Sequence, residues 1–184
     1  MTVVTRIFLI GPMGAGKTTI GRYLANALQL PFIDTDHEIE ERSGADIPWI
    51  FDVEGEQGFR DREHKVLCDI CQASPAVIAT GGGIVVREDN RHLLSQSGTS
   101  VFLQASVNQQ LKRTGNDRSR PLLNHGDPEQ TLKALMTIRE PLYKEVADII
   151  CATENNKPRL TAQSIVKELE LLHSSNKNSR HTPQ

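Results

Sequence analysis

IFLIGPMGAGKTTI, residues Ile7 to Ile20, decides how the chain is read. Ile7, Phe8, Leu9 and Ile10 form a short run of β-branched, aromatic and aliphatic side chains, the composition of a strand buried on both faces. The run stops at Gly11. Gly11, Gly16, Lys17 and Thr18 then fit G-x-x-x-x-G-K-[ST], with Gly14 inside the loop. Beyond Lys17 the period turns helical, with Ile20, Leu24, Ala27 and Leu28 on one face. Glycines let the backbone turn its N–H groups inward, and the helix that follows adds free N–H groups and the positive end of its dipole. The result is an anion cradle. Lys17 is placed to reach the β- and γ-phosphates of a nucleoside triphosphate, and the Thr18 hydroxyl to ligate Mg²⁺.

The rest of the chain repeats this alternation. Strands are expected at 31–34, 76–80, 99–104 and 148–152, making five with the first. Helices are expected at 37–42, closed by Gly44, then from an Asp46 N-cap, at 56–72, at 87–95, and from a Ser106 cap to Thr114. A further helix starts at Pro128 and reaches Ala147, with Pro141 expected to kink or split it, and the last is Thr161 to Leu172. The pattern predicts an α/β fold with a mostly parallel sheet covered on both faces. Ligands of such sheets bind beyond the carboxyl ends of the strands, where Asp34, Asp36, the P-loop and Gly81-Gly82-Gly83 all fall. Residues 115–127 are polar, hold Pro121 and two glycines, and exceed an ordinary connection, which suggests a lid or a disordered segment. From His173 the tail HSSNKNSRHTPQ carries no apolar side chain and is expected to be disordered.

At 184 residues the chain is large enough for one domain with a real core. A net charge of −2 and a pI near 6.3 offer no basic field to nucleic acid or an anionic membrane. No apolar run approaches membrane-spanning length, and Met1 to Arg6 make no signal peptide, so a cytoplasmic location is expected. Three cysteines are too few and too odd for a disulfide framework. Cys68 and Cys71 form C-x-x-C, but at helical spacing and with no second ligand pair, so a reduced, packing role is expected. The six histidines form no metal pattern.

A Walker-type NTPase usually carries an Asp after an apolar strand, whereas the third strand here ends in Thr80-Gly81-Gly82-Gly83. The available acids are Asp34 and Asp36. If the segment is extended, residues two apart point the same way, so one carboxylate can serve the metal shell and the other an acceptor hydroxyl. Arg60, inside EGEQGFRDREHK, and Arg139, inside TIREPLYKE, are unremarkable alone. Arg118 and Arg120 make the lid candidate basic, able to offer a cation to a transferring phosphoryl group.

Together these pieces closely resemble shikimate kinases. The matching segments are GPMGAGKTTIGR (Gly11–Arg22), FIDTDHEIEERSGADI (Phe32–Ile47), FDVEGEQGFRDREHKVL (Phe51–Leu67), ATGGGIV (Ala79–Val85), RTGNDRSRPLL (Arg113–Leu123) and IREPLYKEVAD (Ile138–Asp148). The resemblance spans about residues 6–172. It implies a nucleoside monophosphate kinase-like P-loop fold with a mobile lid at about 113–127 and a substrate-binding region at about 34–62. It also implies ATP-dependent phosphorylation of the shikimate 3-hydroxyl by a monomer that needs Mg²⁺. By the same resemblance, Gly14, Ala15, Gly16, Lys17, Thr18 and Thr19 hold the nucleotide, with Arg120 on its phosphates. Thr18 takes Mg²⁺, and Asp34 acts through the metal's water. Asp36 holds the ring hydroxyls as the candidate base, Arg60 and Arg139 clamp the carboxylate, and Gly82 touches substrate. Residues 153–159 match the pattern poorly, leaving Arg113 and Pro158 as candidates for adenine. A gluconate or nucleoside monophosphate kinase on the same architecture is the nearest rival. A GTPase-like switch is disfavoured because Asn156-Lys157 is followed by Pro158, Arg159 and Leu160 and gives no N-K-x-D.

Overall fold

The computed structural model describes residues 6–114, 126–153 and 157–178. The expected lid, including Arg118 and Arg120, lies mostly outside the described residues. Five strands form one parallel sheet: β1 (Arg6–Ile10), β2 (Phe32–Asp34), β3 (Val77–Ala79), β4 (Gly98–Gln104) and β5 (Ile149–Ala152), in the order β2-β3-β1-β4-β5. The helices are α1 (Lys17–Leu28), α2 (Thr35–Ser43), α3 (Ile47–Gln72), α4 (Glu88–Ser97), α5 (Val107–Thr114), α6 (Pro128–Val146) and α7 (Pro158–Asn178).

The two-residue period of β1 divides the core. Phe8 and Ile10 join Ile78 and Phe102 under α3, α4 and α6, where Leu67, Leu94 and Tyr143 are buried. Ile7 and Leu9 join Val77, Val101 and Leu103 under α1 and α7, against Leu24 and Ile165. The central strand is thus apolar on both faces from Ile7 to Ile10, as a covered parallel sheet requires. Because β1 is central, with β3 on one side and β4 on the other, the loop that leaves it opens at the point where the chain order diverges.

Several boundaries moved for physical reasons. Helix α2 starts at Thr35, two residues before the expected position, because the Asp34 side chain caps it by accepting the Asp36 N–H at 3.1 Å. The Asp46 cap stands as expected, accepting the Trp49 N–H at 2.9 Å. Helix α3 is broken at Gly55, whose φ of 71° and ψ of 179° no helix contains, so a short helix precedes the long one expected from Glu56. Pro141 does not split α6, which continues through it. The carbonyl of Thr137, deprived of its N–H partner, belongs to an exposed residue where water can replace the bond. The polar segment expected to be disordered from His173 continues α7 to Asn178, with His173 and Ser174 bonded back to the Leu169 and Glu170 carbonyls. Extending an existing helix needs no new nucleus, so polar residues can prolong it. Among the described residues no helix is long and apolar enough to cross a membrane.

Candidate active site

The loop after β1 ends at Gly16, which precedes α1 with φ of 92°, a left-handed conformation open to glycine. The free N–H groups of α1 therefore face the loop. Lys17 Nζ folds back over it, donating to the Gly11 and Pro12 carbonyls at 2.8 and 2.7 Å. The Thr18 hydroxyl donates to Asp34 Oδ2 at 2.7 Å. Arg113, from α5, reaches across and donates to the Gly14 carbonyl at 2.8 Å.

A cleft of about 250 Å³ opens here, lined by Met13, Gly14, Gly16, Lys17, Thr18, Thr19, Asp34, Asp36, Thr80, Gly82 and Arg113. The P-loop residues, both aspartates and the central glycine of the triplet therefore meet, as expected. Ala15 is buried beneath them and Pro158 begins α7; neither lines the cleft. The route by which Asp36 arrives differs from the extended segment expected. It is in the first turn of α2, held by the Asp34 cap.

Arg60 and Arg139 do not line the cleft but stand against its glycine wall. A Cβ on Gly83 would sit 2.3 Å from both terminal nitrogens of Arg60, and one on Gly82 would sit 3.8 Å from Arg139 Nη1. Neither arginine is the ordinary solvated residue that its local sequence suggests: they are 9% and 6% exposed. Arg60 donates to Glu63 at 2.8 Å and, through Nε and Nη2, to Glu56 at 3.3 and 3.0 Å. Its guanidinium stays charged, since the two carboxylates outweigh the burial that opposes them.

Glu63 and Tyr143 went unnoticed in the sequence. Glu63 is fully buried, and burial pushes its carboxyl up against the pull of Arg60 and Arg139. Its Oε1 has no hydrogen-bond partner among the described residues. That oxygen and Asp36 Oδ1 both approach Gly81, where a Cβ would lie 2.5 and 2.9 Å from them. Gly81 thus makes room for two carboxylates and Gly83 for a guanidinium, while Gly82 stands at ordinary contact distance from Arg139. Tyr143 donates to the Gly82 carbonyl, bonds Arg139 and stacks on Phe102 at 5.0 Å, which fixes both the loop and the arginine. A single Glu in a charged helix and a single Tyr in an amphipathic one carry no local signal of such roles.

Residues 13–170 match the family model described as shikimate kinase. A shikimate kinase of Pseudomonas aeruginosa (strain LESB58) is 53% identical over 169 residues, covering 92% of this chain and 98% of that protein. A solved shikimate kinase from Acinetobacter baumannii, in complex with shikimate, is 48% identical with a TM-score of 0.90, over 95% of this chain and 96% of that one. A gluconokinase from Sinorhizobium meliloti 1021, at 19% identity and a TM-score of 0.63 over 97% and 98% of the two chains, shares the fold. With a family model matched over most of its length and a relative 53% identical across 98% of that protein, the chain belongs to the shikimate kinase family.

Proposed function

We propose that this chain phosphorylates the 3-hydroxyl of shikimate with ATP, giving shikimate 3-phosphate and ADP on the route to chorismate and the aromatic amino acids. The observation that carries the reading is the pair of buried arginines beside a phosphate cradle. Shikimate is a small carboxylate with several hydroxyls. A guanidinium has five N–H donors. Arg60 spends three on Glu56 and Glu63, so two remain for a substrate carboxylate, and Arg139 stands against the neighbouring Gly82. The Acinetobacter baumannii relative, solved with shikimate, supports the same acceptor.

Within that reading Gly14–Thr19 cradle the nucleotide phosphates. Lys17 exchanges the Gly11 and Pro12 carbonyls for phosphate oxygens, and Arg120 of the lid meets the same phosphates. Asp36, at the cleft wall, accepts from the substrate hydroxyls and orients the nucleophile in line. A loose transition state needs little early deprotonation, so orientation outweighs proton removal. Thr18 and Asp34 place two oxygen donors side by side, a set that suits Mg²⁺, with Thr18 as ligand and Asp34 acting through water. When bound, the ion neutralises charge on the transferring phosphoryl group. Arg113, over Gly14, is the better placed of the two adenine candidates. The unit is one kinase domain over 1–172, with its substrate region at 34–62 and lid at 113–127. It works as a cytoplasmic monomer on small molecules.

ADP release should be measured with MgATP plus shikimate, gluconate or a nucleoside monophosphate. Stimulation by shikimate alone is expected. Stimulation by gluconate or a nucleotide instead would overturn the arginine-clamp assignment, and ATP binding without stimulation by any acceptor would overturn the kinase.

A further inference from the structure

Away from the cleft, a thiol, an imidazole and an amide stand in line. His64 and Cys68 are one turn apart on α3, with Cys68 Sγ 3.5 Å from His64 Nε2. His64 Nδ1 lies 2.6 Å from Asn90 Oδ1. Asn90 is buried, and its amide nitrogen donates to the Ile84 carbonyl at 3.0 Å. That bond fixes the amide: its oxygen must face His64, because the opposite orientation would set two oxygens against each other. Nδ1 therefore carries the proton and donates it to Asn90. The lone pair of Nε2 faces the thiol. Cys68 and His64 are both half-buried, so the sulfur is held by its partner yet reached by small molecules.

We infer that Cys68 is a modification site, a nucleophilic thiol with His64 as its base and Asn90 as the group that sets the imidazole, open to small disulfides. The sulfur gives its proton to Nε2 as it attacks one sulfur of the disulfide. A Cys68–sulfur bond forms, the original S–S bond breaks, and the other half leaves with its electron pair as a thiolate, while the imidazolium passes its proton to that thiolate or, where the thiolate is a weak base, to solvent. One disulfide replaces another, with no net oxidant required. An imidazole whose far nitrogen is anchored is the arrangement that activates thiols generally. The other two cysteines lack it. Burial pushes the thiols of Cys71 and Cys151 up, which disfavours the attacking thiolate. None of the three lines the nucleotide cleft, so the site is separate from phosphoryl transfer.

The test uses three single-cysteine variants, each keeping Cys68, Cys71 or Cys151 with Ser at the others. Each is treated with 5,5′-dithiobis(2-nitrobenzoate), and the coloured thiolate is followed between pH 6 and 9, folded and in guanidinium. Cys68 should react on the order of tenfold faster than the other two in the folded protein, and the three should converge once unfolded. Adding His64→Gln to the Cys68 protein should slow the folded reaction at least about threefold and flatten its pH profile, with the unfolded rate unchanged. The circular dichroism of that variant checks that the fold is kept; should it fail to fold, Asn90→Ala in the same background, which takes the acceptor away from Nδ1, should slow the reaction in the same sense. Equal rates at the three positions, or a Cys68 rate indifferent to both substitutions, would overturn the assignment.

Discussion

Gly83→Ala tests Arg60, the arginine proposed to hold the substrate carboxylate. The backbone of Gly83 is not in the left-handed region, so alanine meets no conformational barrier there. The added methyl meets the guanidinium instead, at 2.3 Å from both terminal nitrogens and 2.4 Å from Cζ. Ordinary contact distance is about 3.5 Å, so the group must retreat by roughly 1 Å. It can do so, being the far end of a long side chain, and the fold should lose no more than about 1–3 kcal/mol. Its hydrogen bond to Glu63 and the alignment toward a carboxylate that the proposed function requires cannot both survive. A charge-assisted bond contributes about 1.5–3 kcal/mol, which sets a loss of roughly 10- to 100-fold in kcat/KM for shikimate. ADP release with each substrate titrated in turn reads this out. The rise should lie in KM for shikimate, with KM for ATP within about twofold, because Arg60 does not line the P-loop cleft. A well-folded variant with wild-type kcat/KM for shikimate would refute the placement of Arg60 at the substrate, and an equal loss toward ATP would show a general disturbance of the loop.

Asp36→Asn should fold normally and lose turnover by about 10²–10⁴, with shikimate still binding; calorimetry separates the two, and near wild-type turnover would remove the orienting role. Arg139→Lys should weaken shikimate binding about tenfold while ATP binding holds, since an ammonium cannot reproduce the planar fork; an unchanged shikimate affinity would take Arg139 out of the clamp. Burial pushes the Tyr143 phenol up to about 12, against the pull of Arg139. The stability that it contributes is fully present below the unfolded value near 10 and is lost as pH rises through about 12. Against Tyr143→Phe, the wild type should therefore lose about 2–3 kcal/mol between those pH values, and parallel stability curves in urea would deny the buried phenol.

What was legible in the sequence is what is encoded locally. The P-loop states its own chemistry within Gly11–Thr18, and the alternation of strands and helices sets the sheet without reference to distant residues. Asp34 capping α2 was missed for the opposite reason, because the same residue reads as a strand end and as a cap. Arg60 and Glu63 sit in a run of charges that looks solvated. Their burial depends on glycines that arrive from another strand, and no periodicity in α3 announces that. Helix α7 outran its apolar stripe because extension is cheap once the helix exists.

Glu63 is the residue whose role turns on competing energies. A buried carboxylate is costly, and burial indeed pushes its carboxyl up. Glu63 feels the positive charges of Arg60 and Arg139 and the negative charge of Asp36. Glu63 pulls Arg60 inward at 2.8 Å and lies within the field of Arg139, so in the proposed function it would set the fork before substrate arrives. Glu63→Gln keeps the shape and removes the charge. The relieved burial penalty should offset much of the weakened bond, leaving stability within about 1–2 kcal/mol at pH 7. The less firmly held Arg60 should cost about tenfold in kcat/KM for shikimate. Tighter shikimate binding in the Gln variant would mean that Glu63 competes with the substrate carboxylate for Arg60, and the positioning role would have to be abandoned.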